Sequence, residues 1–193
     1  QTGEKRFFTN AECQFGYRDS IFKNELANQY IITRVRFKLT KKPHTIQADY
    51  KSLKSYLEDK NISQPEITDI ANAVTEIRQS KLPNPQEIGN SGSFFKNPIL
   101  TKEQFDELSK SHPGAPSFNL GDNQIKIPAG WLIEQCGFKG YRNGDAGVHD
   151  KQALVLVNHG NASGQDILDL SKQIRKSVSE KFDIQLTPEV NIF

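Results

Sequence analysis

The sequence contains no methionine and has only two cysteines, Cys13 and Cys136. Because these cysteines form no C-x-x-C pair, they exclude a disulfide framework and favour a reducing compartment. The four histidines share no ligand spacing, so we predict no metal site. A chain that starts at Gln1 and lacks methionine is expected to be part of a longer protein.

The sequence also lacks an excess of charge of one sign and a long apolar run. The chain has 25 Lys and Arg against 23 Asp and Glu, which gives a net charge of +2. This balance argues against bulk-charge binding to nucleic acid or to a membrane surface. The longest aliphatic run, residues 153–157, is too short for a bilayer span, and no signal peptide precedes it. We therefore expect a cytoplasmic protein.

Hydrophobic periodicity predicts an α+β fold. Alternation over residues 32–39 favours a half-buried strand, and the apolar run 153–157 favours a central strand. Helical spacing predicts helices at 66–79, behind Thr101, at 129–136 and behind Ser163. Three of these helices are expected to begin at capping residues, namely Ser63 with Glu66, Thr101 with Gln104 and Ser163 with Asp166. A last strand near Ile184 and Leu186 would complete a β-α-β unit.

The segment from Gly89 to Pro98 is the densest candidate for chemistry, because it combines glycines, serines and asparagines with Lys96. It matches neither a P-loop nor a G-x-S-x-G nucleophile elbow, since the required order of residues is absent. The segment is either a ligand-binding loop or a polar turn that leads into a strand with a buried phenylalanine. Composition alone leaves both readings open.

Two further positions are of interest. Arg18 beside Asp19 is either a surface ion pair or, within a cleft, a bidentate partner for a carboxylate. Glu189 follows a predicted strand end, where most glutamates are simply solvated. Both cysteines are better explained as small buried hydrophobic residues than as nucleophiles.

Several motifs occur in an order that resembles one enzyme family. They are Cys13-x-Phe15-Gly16-Tyr17-Arg18-Asp19-Ser20, Lys81-Leu82-Pro83-x-Pro85, Gly89-Asn90-x-Gly92-Ser93-Phe94-Phe95-Lys96-Asn97-Pro98, Ala129-Gly130-Trp131-Leu132-Ile133-x-Gln135-Cys136 and Pro188-Glu189-Val190. Together they resemble the UDP-N-acetylenolpyruvoylglucosamine reductases, flavoenzymes of peptidoglycan precursor synthesis. Asp49-Tyr50 falls where one branch of the family has an added tyrosine-bearing loop.

The resemblance implies a fold, a domain division and cofactors. Residues 1–64 would be the end of an FAD-binding α+β domain with the tyrosine loop. Residues 65–193 would be a β-α-β type substrate-binding domain. The family uses FAD, with NADPH as the reductant, to convert UDP-N-acetylglucosamine enolpyruvate into UDP-N-acetylmuramate. Because most of the FAD site has no counterpart here, the isolated chain is expected to be an inactive fragment.

Site residues follow from the resemblance, position by position. It implies that Ser93, Arg18 and Glu189 are catalytic, with Arg18 also facing the cofactor. The implied substrate contacts are Tyr50, Lys81, Asn97, Lys139 and Gln152. Phe118 stands where a related enzyme carries a tyrosine, so the hydroxyl contact is lost at that position.

Two other functions remain as alternatives. One is a nucleotide-sugar binding module without catalysis, and the other is a serine hydrolase that uses Ser93. Truncation of a flavin domain would also expose apolar surface at Phe7, Phe8 and residues 32–39, so either self-association or disorder of about the first forty residues is expected.

Overall fold

The computed structural model describes residues 3–192, and the chain divides between Thr45 and Ile46 into two compact units. The first unit consists of turns and loops with one 3₁₀ turn, Ile21–Lys23. Its centre is a cluster of aromatic rings. Phe8 packs edge to face against Phe22 at 5.0 Å and against Tyr30 at 5.2 Å. Aromatic packing, and not a strand ladder, therefore organises this unit.

The predicted strand over residues 32–39 is wrong. This segment is irregular, and the side chains of Val35, Phe37 and Leu39 are 66%, 74% and 82% exposed. A half-buried strand needs a neighbour that satisfies its backbone groups. No described residue pairs with this segment, so alternation alone does not produce a strand here.

The second unit contains all the regular helices and strands of the described residues. The helices are α1 (Lys51–Asp59), α2 (Ile67–Lys81), α3 (Lys102–Ser111), α4 (Ala129–Gln135) and α5 (Gly164–Phe182). The strands are β1 (Gly89–Ser93), β2 (Ile99–Thr101), β3 (Phe118–Gly121), β4 (Gln124–Lys126), β5 (Arg142–Asn143), β6 (Ala146–Val148) and β7 (Val155–Asn158).

Two antiparallel sheets form in this unit. One has the strand order β1-β7-β6-β5, and the other has the order β2-β4-β3. β7 is central, as its apolar sequence predicts, and Val155, Leu156 and Val157 are all buried. Mixed helices and antiparallel strands confirm the predicted α+β class. The second sheet was not predicted, because its strands have only three or four residues and no clear alternation.

The main core lies between the four-stranded sheet and its helices. α5 packs on β6 and β7, and α4 packs on α5. α5 contributes the buried side chains Leu170, Ile174, Val178 and Phe182 at helical spacing. α1 and α2 pack on each other around a smaller cluster of Leu53, Leu57 and Ala73.

The N-termini of two helices, α3 and α5, are capped as the sequence predicts. Thr101 and Gln104 form the predicted capping box of α3, and Ser163 and Asp166 form that of α5. For α2 the predicted box of Ser63 and Glu66 is wrong. Glu66 is itself the N-cap and exchanges hydrogen bonds with the third residue of the helix, Asp69.

The predicted last strand is only partly formed. Ile184 and Leu186 are buried but lie outside any regular strand, and one antiparallel bridge joins Phe95 to Pro188. Since β1 is antiparallel to β7, the segment after α5 runs in the same direction as β7, with residues 89–95 between them. The chain therefore follows the predicted β-α-β path, but the β1 segment lies between its two parallel segments.

No helix within residues 3–192 combines the length and the apolar character that crossing a membrane requires.

Candidate active site

A bulge in β1 places Ser93. The pairing of β1 with β7 shifts register between Asn90 and Ser93. Asn90 Oδ1 accepts a hydrogen bond of 3.0 Å from Gly92 N, and Gly92 adopts a φ of 73°, which favours glycine. A bulge redirects the side chains that follow it. Ser93, directly after the bulge, is exposed.

Phe94 connects the strand of Ser93 to two other segments. Its N–H donates to Leu154 O at 2.7 Å, and its carbonyl accepts from Glu189 N at 2.8 Å. Phe94 and Phe95 are 5% and 1% exposed, so this strand is anchored in the core. The backbone of Glu189 therefore lies beside that of the residue next to Ser93, and two of the predicted catalytic residues are brought together.

Asn97 stands on the same segment and is fixed through its side chain. Its Oδ1 accepts a hydrogen bond of 2.9 Å from Ala129 N, at the start of α4. With the carbonyl oxygen occupied, the Nδ2 amide group is left as the donor end. No described residue accepts a hydrogen bond from that nitrogen.

Gln152 lies beside the same end of α4. Its Oε1 accepts from Leu154 N at 3.3 Å and is 3.1 Å from the point where a Cβ on Gly130 would stand. The carbonyl end of this amide is thus occupied as well, and among residues 3–192 no acceptor is bonded to Nε2. Asn97 and Gln152 therefore offer two oriented N–H₂ groups near the start of α4.

Lys139 belongs to the loop that follows α4. Its Nζ lies 2.9 Å from Glu134 Oε1, and both side chains are partly exposed. An exposed pair of this kind contributes about 0–1 kcal/mol, so an incoming anion can replace the glutamate. The next residue, Gly140, packs near Asp150, which lies in the loop that holds Gln152.

Tyr50 and Lys81 are attached to the helix pair α1 and α2. Tyr50 is the N-cap residue of α1 and is 79% exposed, and Lys81 is the last residue of α2. Within residues 3–192, no carboxylate forms an ion pair with the Lys81 ammonium group. The hydrogen bonds described above do not connect these two residues to Ser93.

Arg18 belongs to the first unit and is exposed. Its backbone is left-handed, with a φ of 56°, and its carbonyl accepts a 2.9 Å hydrogen bond from Lys23 Nζ. Phe15 and Tyr17 beside it are 65% and 40% exposed. A guanidinium at the surface of this unit can pair with a carboxylate in bidentate geometry.

Phe118 lies in β3 and is covered by a cation. Lys126 Nζ lies 5.2 Å from the centre of its ring, across the β3–β4 pair. A lysine above an aromatic face is attracted by the ring quadrupole. The missing hydroxyl at Phe118 can be predicted from the sequence, whereas the contact with Lys126 depends on the β3–β4 hairpin, which the sequence pattern does not indicate.

The cysteines show no arrangement for catalysis. Cys13 is buried, Cys136 is half-buried, and neither is in a disulfide. Burial raises the pKa of the Cys136 thiol, and the nearby charge of Lys181 only partly opposes this. In the part of the chain that the structure describes, no cluster of three metal-ligating side chains occurs.

Comparisons with known proteins agree with this architecture. The family described as UDP-N-acetylenolpyruvoylglucosamine reductase, C-terminal domain, matches residues 84–193. The chain is 56% identical over 192 residues to the UDP-N-acetylenolpyruvoylglucosamine reductase of Flavobacterium johnsoniae, covering 100% of this chain and 57% of that protein. It is 48% identical over 189 residues to the enzyme of the same name from Chromobacterium violaceum, covering 98% and 55%. The chain thus spans about half the length of the curated relatives it matches.

A solved structure shows the same fold. The crystal structure of UDP-N-acetylenolpyruvylglucosamine reductase from Thermus caldophilus matches with a TM-score of 0.57 at 25% sequence identity. The match covers 100% of this chain and 50% of that one. These findings confirm the resemblance that the ordered motifs indicate. The chain belongs to the family of the UDP-N-acetylenolpyruvoylglucosamine reductase C-terminal domain.

Proposed function

We propose that this chain supplies the substrate-reducing part of an FAD-dependent reductase that converts UDP-N-acetylglucosamine enolpyruvate into UDP-N-acetylmuramate, with NADPH as the reductant. The product is a precursor of peptidoglycan. The observation that carries the proposal is the 2.8 Å hydrogen bond from Glu189 N to Phe94 O, which brings the acid next to the strand of Ser93. The names of the relatives support the substrate class.

The reaction determines which groups the site needs. FAD, when bound and reduced, would supply the hydride that adds to the terminal carbon of the enolpyruvyl group. Negative charge then spreads from the adjacent carbon into the substrate carboxylate as an enolate. Groups that stabilise this charge lower the barrier. Arg18 is suited to this role because its planar guanidinium is always charged and matches a carboxylate in bidentate geometry.

Ser93 and Glu189 have separate roles, proton donation and stabilisation of the enolate. An enolate carbon is strongly basic, so a hydroxyl within hydrogen-bond reach can protonate it, and Ser93 is exposed for this purpose. Glu189 would repel the developing charge if it were ionised. We therefore propose that Glu189 acts as a hydrogen-bond donor to the enolate.

The amide groups of Asn97 and Gln152 are suited to acceptor atoms of the substrate. Backbone N–H groups occupy their carbonyl oxygens at 2.9 and 3.3 Å, so neither amide can rotate by 180° without losing a bond. The free amino groups can then donate to carbonyl, hydroxyl or phosphate oxygens.

The diphosphate of the substrate requires cations and a covering ring. Lys81 and Lys139 provide point charges suited to phosphate oxygens, and Tyr50 provides a hydroxyl donor on an aromatic ring. The exposure of Tyr50 supports a role in covering a ligand. We also propose that residues 1–64 form the end of an FAD-binding domain and that residues 65–193 bind the substrate. Helix α1 lies before this boundary and packs on α2, which lies after it.

The direct test uses the full-length gene product that contains residues 1–193. We expect a yellow protein that oxidises NADPH only when the enolpyruvyl UDP-sugar is present. A flavin-free protein without this turnover would contradict the proposal.

A non-catalytic nucleotide-sugar binding module is the second candidate. It is favoured by one observation, namely that Tyr50, Lys81, Asn97, Lys139 and Gln152 all lie in the second unit. Titration calorimetry on residues 1–193 separates the two. Binding of the UDP-sugar by a colourless protein, together with no turnover by the full-length gene product, would support the binding module. The serine hydrolase is not proposed, since no histidine among the described residues is hydrogen-bonded to Ser93.

A further inference from the structure

The loop between β6 and β7 carries Gln152 and is held together from inside. The backbone N–H of His149 donates to Val155 O at 2.9 Å, and that of Val155 donates to Gln152 O at 3.0 Å. Two side chains take further N–H groups of the loop. Lys151 N donates to His149 Nδ1 at 3.3 Å, and Leu154 N donates to Gln152 Oε1 at 3.3 Å.

The ring of His149 is held in one orientation. Its side chain is only 15% exposed, and Nε2 lies 3.4 Å from Asp150 Oδ1. Because Nδ1 accepts from Lys151 N, Nδ1 carries no proton and Nε2 carries one. The imidazole therefore bridges the two residues that immediately precede Gln152.

This arrangement limits where the Gln152 amide can lie. The two hydrogen bonds of Lys151 N and Leu154 N flank Gln152 on either side in the chain. Gly130 leaves room for the Gln152 side chain against α4, since a Cβ at that position would stand 3.1 Å from Oε1. If Lys151 N lost its acceptor, the loop would keep only the hydrogen bonds of His149 N, Leu154 N and Val155 N, and the direction of the Gln152 amide would be less restricted.

We propose that His149 is a positioning residue, which acts through the acceptor Nδ1 to hold Gln152 in its substrate-binding orientation. The inference rests on the proposed function, in which Gln152 binds the UDP-sugar. His149 itself need not touch the substrate. Its loss should weaken binding and leave proton transfer by Ser93 in place.

Two substitutions separate the two ring nitrogens. The Oδ1 atom of asparagine is bonded to Cγ, like the Nδ1 atom of histidine. His149→Asn therefore keeps an acceptor for Lys151 N. In His149→Gln, the polar atoms lie one bond further out, near the position of Nε2. Asp150→Asn serves as the control for the Nε2 contact.

In the full-length gene product, we expect His149→Gln to raise KM for the UDP-sugar about 5- to 10-fold with kcat within about 2-fold. We expect His149→Asn and Asp150→Asn to stay within about 2-fold of the starting protein in both constants. Equal KM values for the Asn and Gln variants would overturn the proposal. So would a rise in KM that follows the loss of melting temperature across all variants.

Amide hydrogen exchange gives a readout that needs no turnover. Exchange at Lys151 N should accelerate in His149→Gln and stay slow in His149→Asn. If the starting protein shows no reductase activity, the proposed function fails while this comparison still decides the role of His149. Equal exchange in the two variants would overturn the positioning role.

Discussion

The backbone N–H of Glu189 donates a 2.8 Å hydrogen bond to the carbonyl oxygen of Phe94, the residue that follows Ser93. The proposed acid and the proposed proton donor are thus held by main-chain atoms that side-chain substitution does not remove. Each can be changed without releasing the other, which makes their roles separable by experiment.

Ser93→Ala should slow reduction of the UDP-sugar by the reduced enzyme about 10²–10⁴-fold, because positioned proton transfer contributes that much. Reduction of the flavin by NADPH should stay unchanged. Stopped-flow absorbance of the flavin separates the two half-reactions. Ser91→Ala, in the bulge of the same strand, is the matched control. Equal losses in both half-reactions would rule out a specific role for Ser93.

Glu189→Gln and Glu189→Ala test whether Glu189 acts as a hydrogen-bond donor. A glutamine keeps the shape and can still donate a hydrogen bond, whereas alanine cannot. We expect kcat for Glu189→Ala to fall about 10²–10³-fold, the usual cost of losing a donor to an oxyanion, and Glu189→Gln to fall less. Equal losses in the glutamine and alanine variants would contradict the hydrogen-bond-donor role of Glu189.

Gly130→Ala should weaken UDP-sugar binding without unfolding the protein. The new Cβ would stand 3.1 Å from Gln152 Oε1 and 3.5 Å from Leu154 Cγ, so the glutamine side chain must shift. Calorimetric titration should show a several-fold higher Kd. Gly164→Ala is the control, because a Cβ there meets no atom within 4 Å. Unchanged affinity in Gly130→Ala would contradict the expectation that the position of the Gln152 side chain determines UDP-sugar affinity.

Asp145→Asn should lower stability in a pH-dependent way. Hydrogen bonds from Asn161 N and from Arg142 hold the pKa of the Asp145 carboxyl below its ordinary value of 3.8. A lowered folded pKa stabilises the native state above the unfolded pKa, and this contribution is lost as the pH falls through the folded pKa. Urea midpoints of the two proteins should therefore differ at pH 7 and converge in acid. Asp122→Asn, in the β3–β4 turn, serves as the control. A difference that persists unchanged in acid would contradict the electrostatic explanation.

Ile174→Ala should destabilise the second unit by about 2–5 kcal/mol, because the side chain is fully buried between α5 and the sheet. Urea denaturation measures the change. Ile67→Ala on α2, where the side chain is 48% exposed, should cost about 1 kcal/mol or less. Similar losses at both positions would contradict the assigned core.

The helices could be predicted because their determinants are local. The capping boxes of α3 and α5 each lie within four consecutive residues, and the buried stripe of α5 repeats with helical spacing. The strand predicted over residues 32–39 failed because strand formation depends on a neighbour, which periodicity does not reveal. The box predicted for α2 failed because Ser63 and Glu66 have the same spacing as the true pair, Glu66 and Asp69.

The candidate site was predicted through the resemblance and not through local pattern. No periodicity indicates that Asn97 will accept from Ala129 N, or that Glu189 will lie beside Phe94, since both contacts join distant parts of the chain. The sequence pattern does not indicate the acceptor role of His149 either, because histidine is not a usual turn residue. Such contacts depend on tertiary packing.

The segment from Ser93 to Asn97 has a fixed length. Val155 pairs with Ser93 at one end, the N–H of Lys96 donates to Thr187 O at 2.9 Å, and Asn97 Oδ1 is bonded to Ala129 N at the other end. One inserted or deleted residue would turn the following side chains to the opposite face and break the tie to α4. Natural length variation among relatives should therefore accumulate in the hairpin turns at Asp122 and Gly144 and be absent between Ser93 and Asn97.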